Sequence, residues 1–568
     1  MCIRDRDYIL EELYKRKPDV LCFSCYIWNI DYVTDIAREY KKLCPSVPIW
    51  VGGPEVSYEV EAFLRENPYI DGVMIGEGED TFRELCGYYA HKRKLSDIAG
   101  IAFRKNSTGN STSVNNIGGN KAGEIVFTSP RPIKNMSEIP FCYDTLDDFS
   151  NRIIYYESSR GCPFSCSYCL SSVDKTLRFR DTEIVKRELK FFIDQKVPQI
   201  KFVDRTFNCN HAHAMELWRF IKANDNGVTN FHFEISADLL NQEELELISD
   251  MRPGLIQLEI GVQSTNEVTI KEIHRTMKLE RLKEVVKLIQ SGNNIHEHLD
   301  LIAGLPYEDY ESFGRSFDEI YELKPNQLQL GFLKVLKGSY MFEHAAEYGI
   351  VYHDKPPYEV MSTKWLSFDD VIKIKRVEEM LEVYYNSGQF EITMKLMECI
   401  FDSAFEFFQE LGDFYEANGY FGMSHSRIRR CEILLEFLAL YLHGCDSDDM
   451  ASVGLSGNAG DRDNTDFDEN AQIYKMIQES LIFDLYYREN CKSRPVWATD
   501  IGSFKHMTHA YCKNGKLSHV EPFHYIFPDK HTRKLDELPK YHKEPVWALF
   551  HYDMRDPLDH QALVEYIE

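Results

Sequence analysis

No apolar run in the 568 residues approaches the length of a membrane span, and the N-terminus lacks the pattern of a signal peptide. These absences point to a cytoplasmic chain with no membrane partner. Positive charge is scarce: 65 Lys and Arg stand against 91 Asp and Glu, a formal net charge of -26. Affinity for a phosphate backbone comes from clustered Lys and Arg, so this balance argues against nucleic acid as a partner. The 15 cysteines lack the spacing of a disulfide framework, which suits reduced thiols in a cytosol. With 43% hydrophobic and 27% charged residues, wholesale disorder is excluded. The length is that of roughly three or four domains.

In residues 1–104 short apolar runs alternate with segments of helical periodicity. Strands are expected at Asp19 to Ser24, Pro48 to Val51 and Gly72 to Met74, between helices near Asp7 to Arg16, Ile30 to Leu43, Tyr58 to Arg65 and Glu79 to Lys92. This is the pattern of a doubly wound, Rossmann-like α/β domain with a parallel sheet. Glycines fall just after strands, at Gly52, Gly53, Gly76 and Gly78. At the carboxyl edge of such a sheet they let backbone approach a large ligand. The chain opens on a helix, so a first βα unit is expected to be missing, with Met1 to Arg6 a non-native leader.

Residues 105–150 read as a hairpin and linker, with a Ser, Asn and Gly-rich loop from Lys105 to Gly123. From 151 to 337 strand and helix alternate again through six repeats. Six parallel strands with right-handed crossovers curl into a partial (βα)6 barrel whose active groups lie at the C-terminal rim. Residues 338–445 carry long amphipathic helices, Phe368 to Tyr385, Glu391 to Ala417 and Ser424 to His443. An acidic segment, 446–470, reads as a disordered insertion, and 471–568 as an α+β tail. The tail residues His506, His509, Cys512, His524 and Tyr525 show no diagnostic spacing and are expected to be packing or surface residues.

Cys162, Cys166 and Cys169 form a C-x3-C-x2-C run after the first strand of the barrel. Three thiolates on one short loop can grip three corners of an iron-sulfur cube and leave the fourth iron open. A structural zinc site, with a fourth ligand from Cys209, His211 or His213, is the competing reading, although no second C-x2-C pair is present.

The loop Arg160-Gly161-Cys162-Pro163-Phe164-Ser165-Cys166-Ser167-Tyr168-Cys169 at the head of such a barrel resembles the radical S-adenosylmethionine superfamily. The resemblance implies a [4Fe-4S] cluster on the three cysteines, S-adenosylmethionine on its open iron, and a 5'-deoxyadenosyl radical as the first product. It places Tyr168 beside the adenine and Asp204 near the methionyl amine. Glu234 and Ser236 fall where ribose contacts are usual, and Glu259 and Gln263 at a cofactor-contacting strand end. A further strand end, Asp300 to Pro306, matches in the same way. The domain ahead of the barrel resembles the cobalamin-binding domain of the vitamin B12 class of these enzymes, with Gly52, Gly53, Gly76 and Gly78 in the turns that flank the corrin. Its first strand would lie upstream of Met1, so cobalamin is expected of the full-length parent. No Asp-x-His-x-x-Gly motif is present. The junction Gln327 to Gly338 and the region beyond it resemble a subgroup with an uncharacterised C-terminal domain.

The family implies a radical enzyme acting on an unknown small molecule or peptide and fed by an electron donor such as flavodoxin or ferredoxin. Methyl transfer to an unactivated carbon is the favoured outcome. Methylthio transfer to tRNA or ribosomal protein is the alternative enzyme class, and a non-catalytic cobalamin or cluster sensor is the alternative outside catalysis. The acidic charge opposes the first alternative, and Cys22, Cys25 and Cys44 lack its expected setting.

Overall fold

Strand residues whose neighbours alternate between two apolar environments need helices on both faces, and the N-terminal segment is built that way. In the computed structural model, α1 (Ile3–Arg16), β1 (Leu21–Ser24), α2 (Ile30–Leu43), β2 (Ile49–Gly52), α3 (Val60–Glu66), β3 (Gly72–Met74) and α4 (Glu79–Tyr89) follow in turn. The antiparallel strands β4 (Ile101–Arg104) and β5 (Ile125–Phe127) complete a sheet of order β1-β2-β3-β4-β5. The first three strands are parallel. Ile49, Val51 and Val73 pack with Val33, Ala37 and Val60 on one face, while Trp50, Met74 and Ile101 pack with Leu85 on the other. The domain is doubly wound, as its periodicity implies.

All residues are described except 1–2, 106–123, 150–151, 174, 444–468, 513–516, 529–531, 533–534, 536 and 568. The expected loop from Lys105 to Gly123 and the insertion 446–470 therefore lie almost wholly outside the described residues. Of the expected leader, Ile3 onward belongs to α1.

The second sheet holds β6 (Ile154–Tyr156), β9 (Gln199–Phe202), β10 (Asn230–Ile235), β11 (Ile256–Gln263), β12 (His296–Ala303) and β13 (Gln327–Phe332) in sequential order, all parallel. A short pair, β7 (Ser159–Arg160) and β8 (Arg178–Phe179), stands outside it. The helices α5 (Thr182–Asp194), α6 (His211–Ala223), α7 (Gln242–Ser249), α8 (Glu267–Glu272), α9 (Leu279–Ser291) and α10 (Tyr310–Tyr321) fill the crossovers. Asp181, Asn210, Asn241, Asn266 and Asp309 cap five of them through their side chains, each worth about 1 kcal/mol. Phe231, Phe233, Leu258, Ile260, Leu299 and Leu328 face the helices and form the core. The alternate positions of the same strands face inward and are mostly polar.

The C-terminal region runs through α11 (Tyr340–Glu343), the pair β14 (Val351–Tyr352) and β15 (Val360–Ser362), then α12 (Phe368–Leu381), α13 (Glu391–Met397), α14 (Ala404–Ala417), α15 (Arg427–His443), α16 (Glu469–Arg488) and α17 (Lys505–Tyr511). The single helix expected over Glu391 to Ala417 is two. Ser403 restarts it, capping Glu406 and donating to Asp318 of α10 at 2.7 Å. Strands β16 (Ser518–Tyr525), β17 (Tyr541–Arg555) and β18 (Ala562–Ile567) close the chain as an antiparallel sheet. Periodicity alone did not mark the 20-residue α16, whose buried residues include Ile477, Leu481, Phe483 and Leu485. Among the described residues no helix is long and apolar enough to cross a membrane.

After α12 the helix continues as a π turn over Glu382–Asn386. This brings Asn386 against the edge strand β13, where its Oδ1 accepts from Leu328 N at 3.0 Å and its Nδ2 donates to Leu328 O at 2.8 Å. The side chain supplies the bonds that another strand would make. Asn386→Leu is therefore expected to lower stability by about 1–3 kcal/mol, read as a lower urea midpoint with an unchanged slope. An unchanged midpoint would show that the edge is satisfied without it.

Candidate functional site

The cysteine loop starts from a buried anchor. Asp204, at the end of β9 and fully buried, accepts from Ser158 N at 2.9 Å, Ser158 Oγ at 2.7 Å and Ser159 Oγ at 2.5 Å. Burial pushes its carboxyl up to about 6 against the pull of those three bonds. Gly161 then turns the chain at φ +91°, where a Cβ would meet Thr176 O at 2.6 Å, so only glycine fits. Farther along, Ser167 N donates to Ile273 O and Ser167 O accepts from Met341 N, both at 2.9 Å. The loop is thus held at both ends by the barrel and by α11.

Cys162 is buried and Cys166 and Cys169 are half-buried, and all three line one cavity of about 520 Å³ at the C-terminal rim. Tyr168, Glu234, Ser236, Glu259 and Gln263 line the same cavity. Asp204 does not; its oxygens belong to the loop anchor, a correction to the expectation that it meets the methionyl amine. The histidines weighed as zinc ligands are committed elsewhere, His211 to Glu244 at 2.9 Å and His213 to Ser158 Oγ at 3.0 Å. Among the described residues no three or more His, Cys, Asp or Glu converge on a single ion. All three thiols border the one cavity, a donor set that suits three corners of a cube with one iron left over.

The cavity also has polar groups with room for a ligand. Gln263 Oε1, Asp300 Oδ1 and Arg275 Nε, on residues that line the cavity, are buried without hydrogen-bond partners, a cost that an occupant with matching donors and acceptors removes. Arg275 lies 3.9 Å from Cys166 Sγ, donates to Tyr168 Oη at 3.1 Å, and also bonds Gly261 O. Its charge sits beside the sulfur. The cavity carboxylates divide by environment. His232 and Lys201, each 2.9 Å away, hold Glu259 down at about 2 against its burial. Burial pushes Glu234 up to about 7, opposed by Arg205. Burial and then the neighbouring Glu259 and Glu234 push Asp300 up to about 8.

At the edge of the N-terminal sheet the four glycines also divide. Gly53 sits at φ +113°, where a Cβ would meet Cys25 O at 2.5 Å, and a Cβ on Gly52 would lie 3.2 Å from Met74; packing accounts for both. Gly76 and Gly78 have nothing within 4 Å of an added Cβ. They border open space, which fits the approach of a large ligand to the backbone.

The family described as the B12 binding domain matches residues 1–86, and the Radical SAM superfamily matches 156–320. The chain carries a B12-binding domain followed by a radical SAM domain. A third family, the protein of unknown function DUF4080, matches 346–561. The cobalamin-dependent radical SAM methyltransferase TokK of Streptomyces tokunonensis is 28% identical over 54% of this chain and 45% of its own length. The uncharacterized methyltransferase PH0819 of Pyrococcus horikoshii is 24% identical over 65% of this chain and 76% of its own. The chain thus spans less than half of TokK. Among solved structures, the cobalamin-dependent S-adenosylmethionine radical enzyme OxsB, with aqua-cobalamin and S-adenosylmethionine bound, shares the fold. Its TM-score is 0.51 at 15% identity, covering 85% of this chain and 74% of that one.

Arg275, Arg205, Lys201 and His232 were absent from the candidates drawn from motif likeness. A period-2 reading of the strands finds two of them: Lys201 and His232 occupy the same alternate positions as Glu234, Glu259 and Asp300. Arg205 and Arg275 lie on loops and carry no such signal.

Glu234 and Asp300 take up negative charge as pH rises through about 7 and about 8, and a sulfonium or ammonium favours their ionised forms. Affinity of the cluster-loaded chain for S-adenosylmethionine is therefore expected to rise across that range, by up to about tenfold per pH unit for each proton released. Equilibrium dialysis of the wild type against Glu234→Gln separates this from the ligand's own titration. Equal slopes in the two proteins would refute it.

Proposed function

We propose that the chain catalyses radical S-adenosylmethionine chemistry at a C–H bond of a small-molecule or peptide substrate, with methyl transfer to an unactivated carbon as the outcome. The observation that carries this reading is the meeting of two ligand edges. The Gly76-Glu77-Gly78-Glu79 turn of the B12-binding domain lies against the strand pair that leads into the cysteine loop, with Glu79 Oε1 2.9 Å from Arg160. When bound, the cluster, S-adenosylmethionine and cobalamin supply a hydrogen-abstracting radical and a transferable methyl group.

The chain's own residues hold and orient. Cys162, Cys166 and Cys169 would hold the cluster, and Tyr168, Glu234, Ser236, Glu259 and Gln263 surround the adjoining space. Ser236 is fixed by its bond to Asp238 at 2.8 Å and by Asn208, which bonds its backbone N at 3.0 Å and O at 2.8 Å. Gly76 and Gly78 border the space for a corrin, while Gly52 and Gly53 shape the neighbouring turn. Phe332, Leu333 and Ile302 give the far wall an apolar surface, which helps exclude water from a reactive intermediate. The similarity to named methyltransferases supports methyl transfer over methylthio transfer or sensing. A cytoplasmic setting, a one-electron donor such as flavodoxin or ferredoxin, and no nucleic acid or membrane partner complete the reading.

Anaerobic reconstitution tests it. Wild-type chain with reductant and S-adenosylmethionine is expected to release 5'-deoxyadenosine, and Cys166→Ala to fall to background with its iron-sulfur absorbance lost. Equal yields from the two proteins would end the radical-enzyme reading. A corrin absorption band is expected to stay with the protein through gel filtration, and its absence would remove methyl transfer from cobalamin.

A further inference from the structure

The barrel sheet is open, with β6 at one edge and β13 at the other, and the N-terminal domain touches both ends. Beside β6, Arg178 lies 2.7 Å from Glu77 Oε1, and Arg160 lies 3.2 Å from Glu77 and 2.9 Å from Glu79. Glu157 holds Arg160 in place from below at 2.7 Å. The side chains of Arg178, Arg160, Glu77 and Glu79 are between 12% and 29% exposed, so these ion pairs are partly shielded from water and stronger than surface pairs. Beyond β13, Glu55 of the Gly53-Pro54-Glu55 turn accepts a hydrogen bond from Tyr358 Oη, and Lys337 lies 4.0 Å from the same carboxylate. Lys337 also sits 5.3 Å from the centre of the Tyr358 ring. Gly338, at φ +84°, lies against Tyr58, whose ring an added Cβ would overlap.

The two contacts come from the turns that follow the paired strands β2 and β3, at the same carboxyl edge that offers space at Gly76 and Gly78. One joins the cysteine loop, and the other joins the β13 exit and the C-terminal region. We propose that Glu77 with Arg178, and Glu55 with Tyr358, are positioning residues that clamp the B12-binding domain across the open barrel and so set the separation of the two cofactor sites. One role of the C-terminal region is then to supply Tyr358, the half of the clamp that the barrel lacks. The consequence for cofactor separation rests on the function proposed above; the clamp itself is a property of the chain without ligands.

The experiment therefore has two arms. In the first, hydrogen exchange by mass spectrometry follows the full cofactor-free chain. Glu77→Lys is expected to speed exchange in 76–80 and 177–179 by at least about tenfold, and the reversed pair Glu77→Lys with Arg178→Glu to restore it. Tyr358→Phe is expected to act likewise in 53–58. Exchange in β16 to β18 reports global loss of fold, and Glu77→Gln replaces Glu77→Lys if that variant does not fold. Wild-type exchange in the single variants, or no restoration by the reversed pair, overturns the proposal. In the second arm, paramagnetic resonance of chain loaded with reduced cluster and cob(II)alamin is expected to show spin–spin broadening. Glu77→Lys should lose it in spectra normalised to bound cluster and bound cobalamin, and the reversed pair should regain it. Broadening unchanged in Glu77→Lys overturns the positioning role. A chain that takes up no cobalamin refutes the proposed function and leaves the first arm to decide the clamp.

Discussion

Three hydrogen bonds into one buried carboxylate fix where the chemistry can happen. Asp204 fastens Ser158 and Ser159 to the end of β9, and the cysteine run begins three residues after that point. A loop carrying three thiols has many conformations of similar energy unless its ends are held. With the anchor, the three thiols border one cavity. The cost of burying a carboxylate is offset by the bonds it accepts.

The rest of the site depends on a barrel that is apolar toward its helices and polar within. Closed eight-stranded α/β barrels fill the lumen with branched apolar side chains. Here the inward positions of β9 to β12 carry Lys201, His232, Glu234, Glu259, His298 and Asp300. Burial first, and then the neighbouring His296 and His232, drive His298 down to about 3, and burial with Glu259 and Glu234 drives Asp300 up to about 8, so both are biased toward neutrality. Glu259 stays ionised because His232 and Lys201 face it. The lumen thus holds a mixture of neutral and charged groups whose balance an arriving cation can shift.

Much of this was legible in the residues. The six barrel strands fall where short apolar runs and helical periodicity place them, since a parallel strand buried on its helix face leaves a strong local signal. The three cysteines carry their meaning in their spacing. Other features were not legible. Asp204 resembles a ligand contact in sequence and proves to be an anchor, because a carboxylate's role depends on which donors the fold brings to it. Gly52 and Gly53 look like Gly76 and Gly78 in a motif, but only the second pair borders open space.

By itself the sequence determined the order of the domains, the parallel strands and the thiol loop, all of which depend on local periodicity and spacing. Only the tertiary structure decided which charges meet. Glu77 and Arg178 are about a hundred residues apart, Glu55 and Tyr358 about three hundred, and no local pattern couples such pairs. Their contact depends on how the turns of the N-terminal sheet meet the segments that flank the barrel. The same holds for the shifted carboxylates, whose proton affinity is set by burial and by neighbours from other strands.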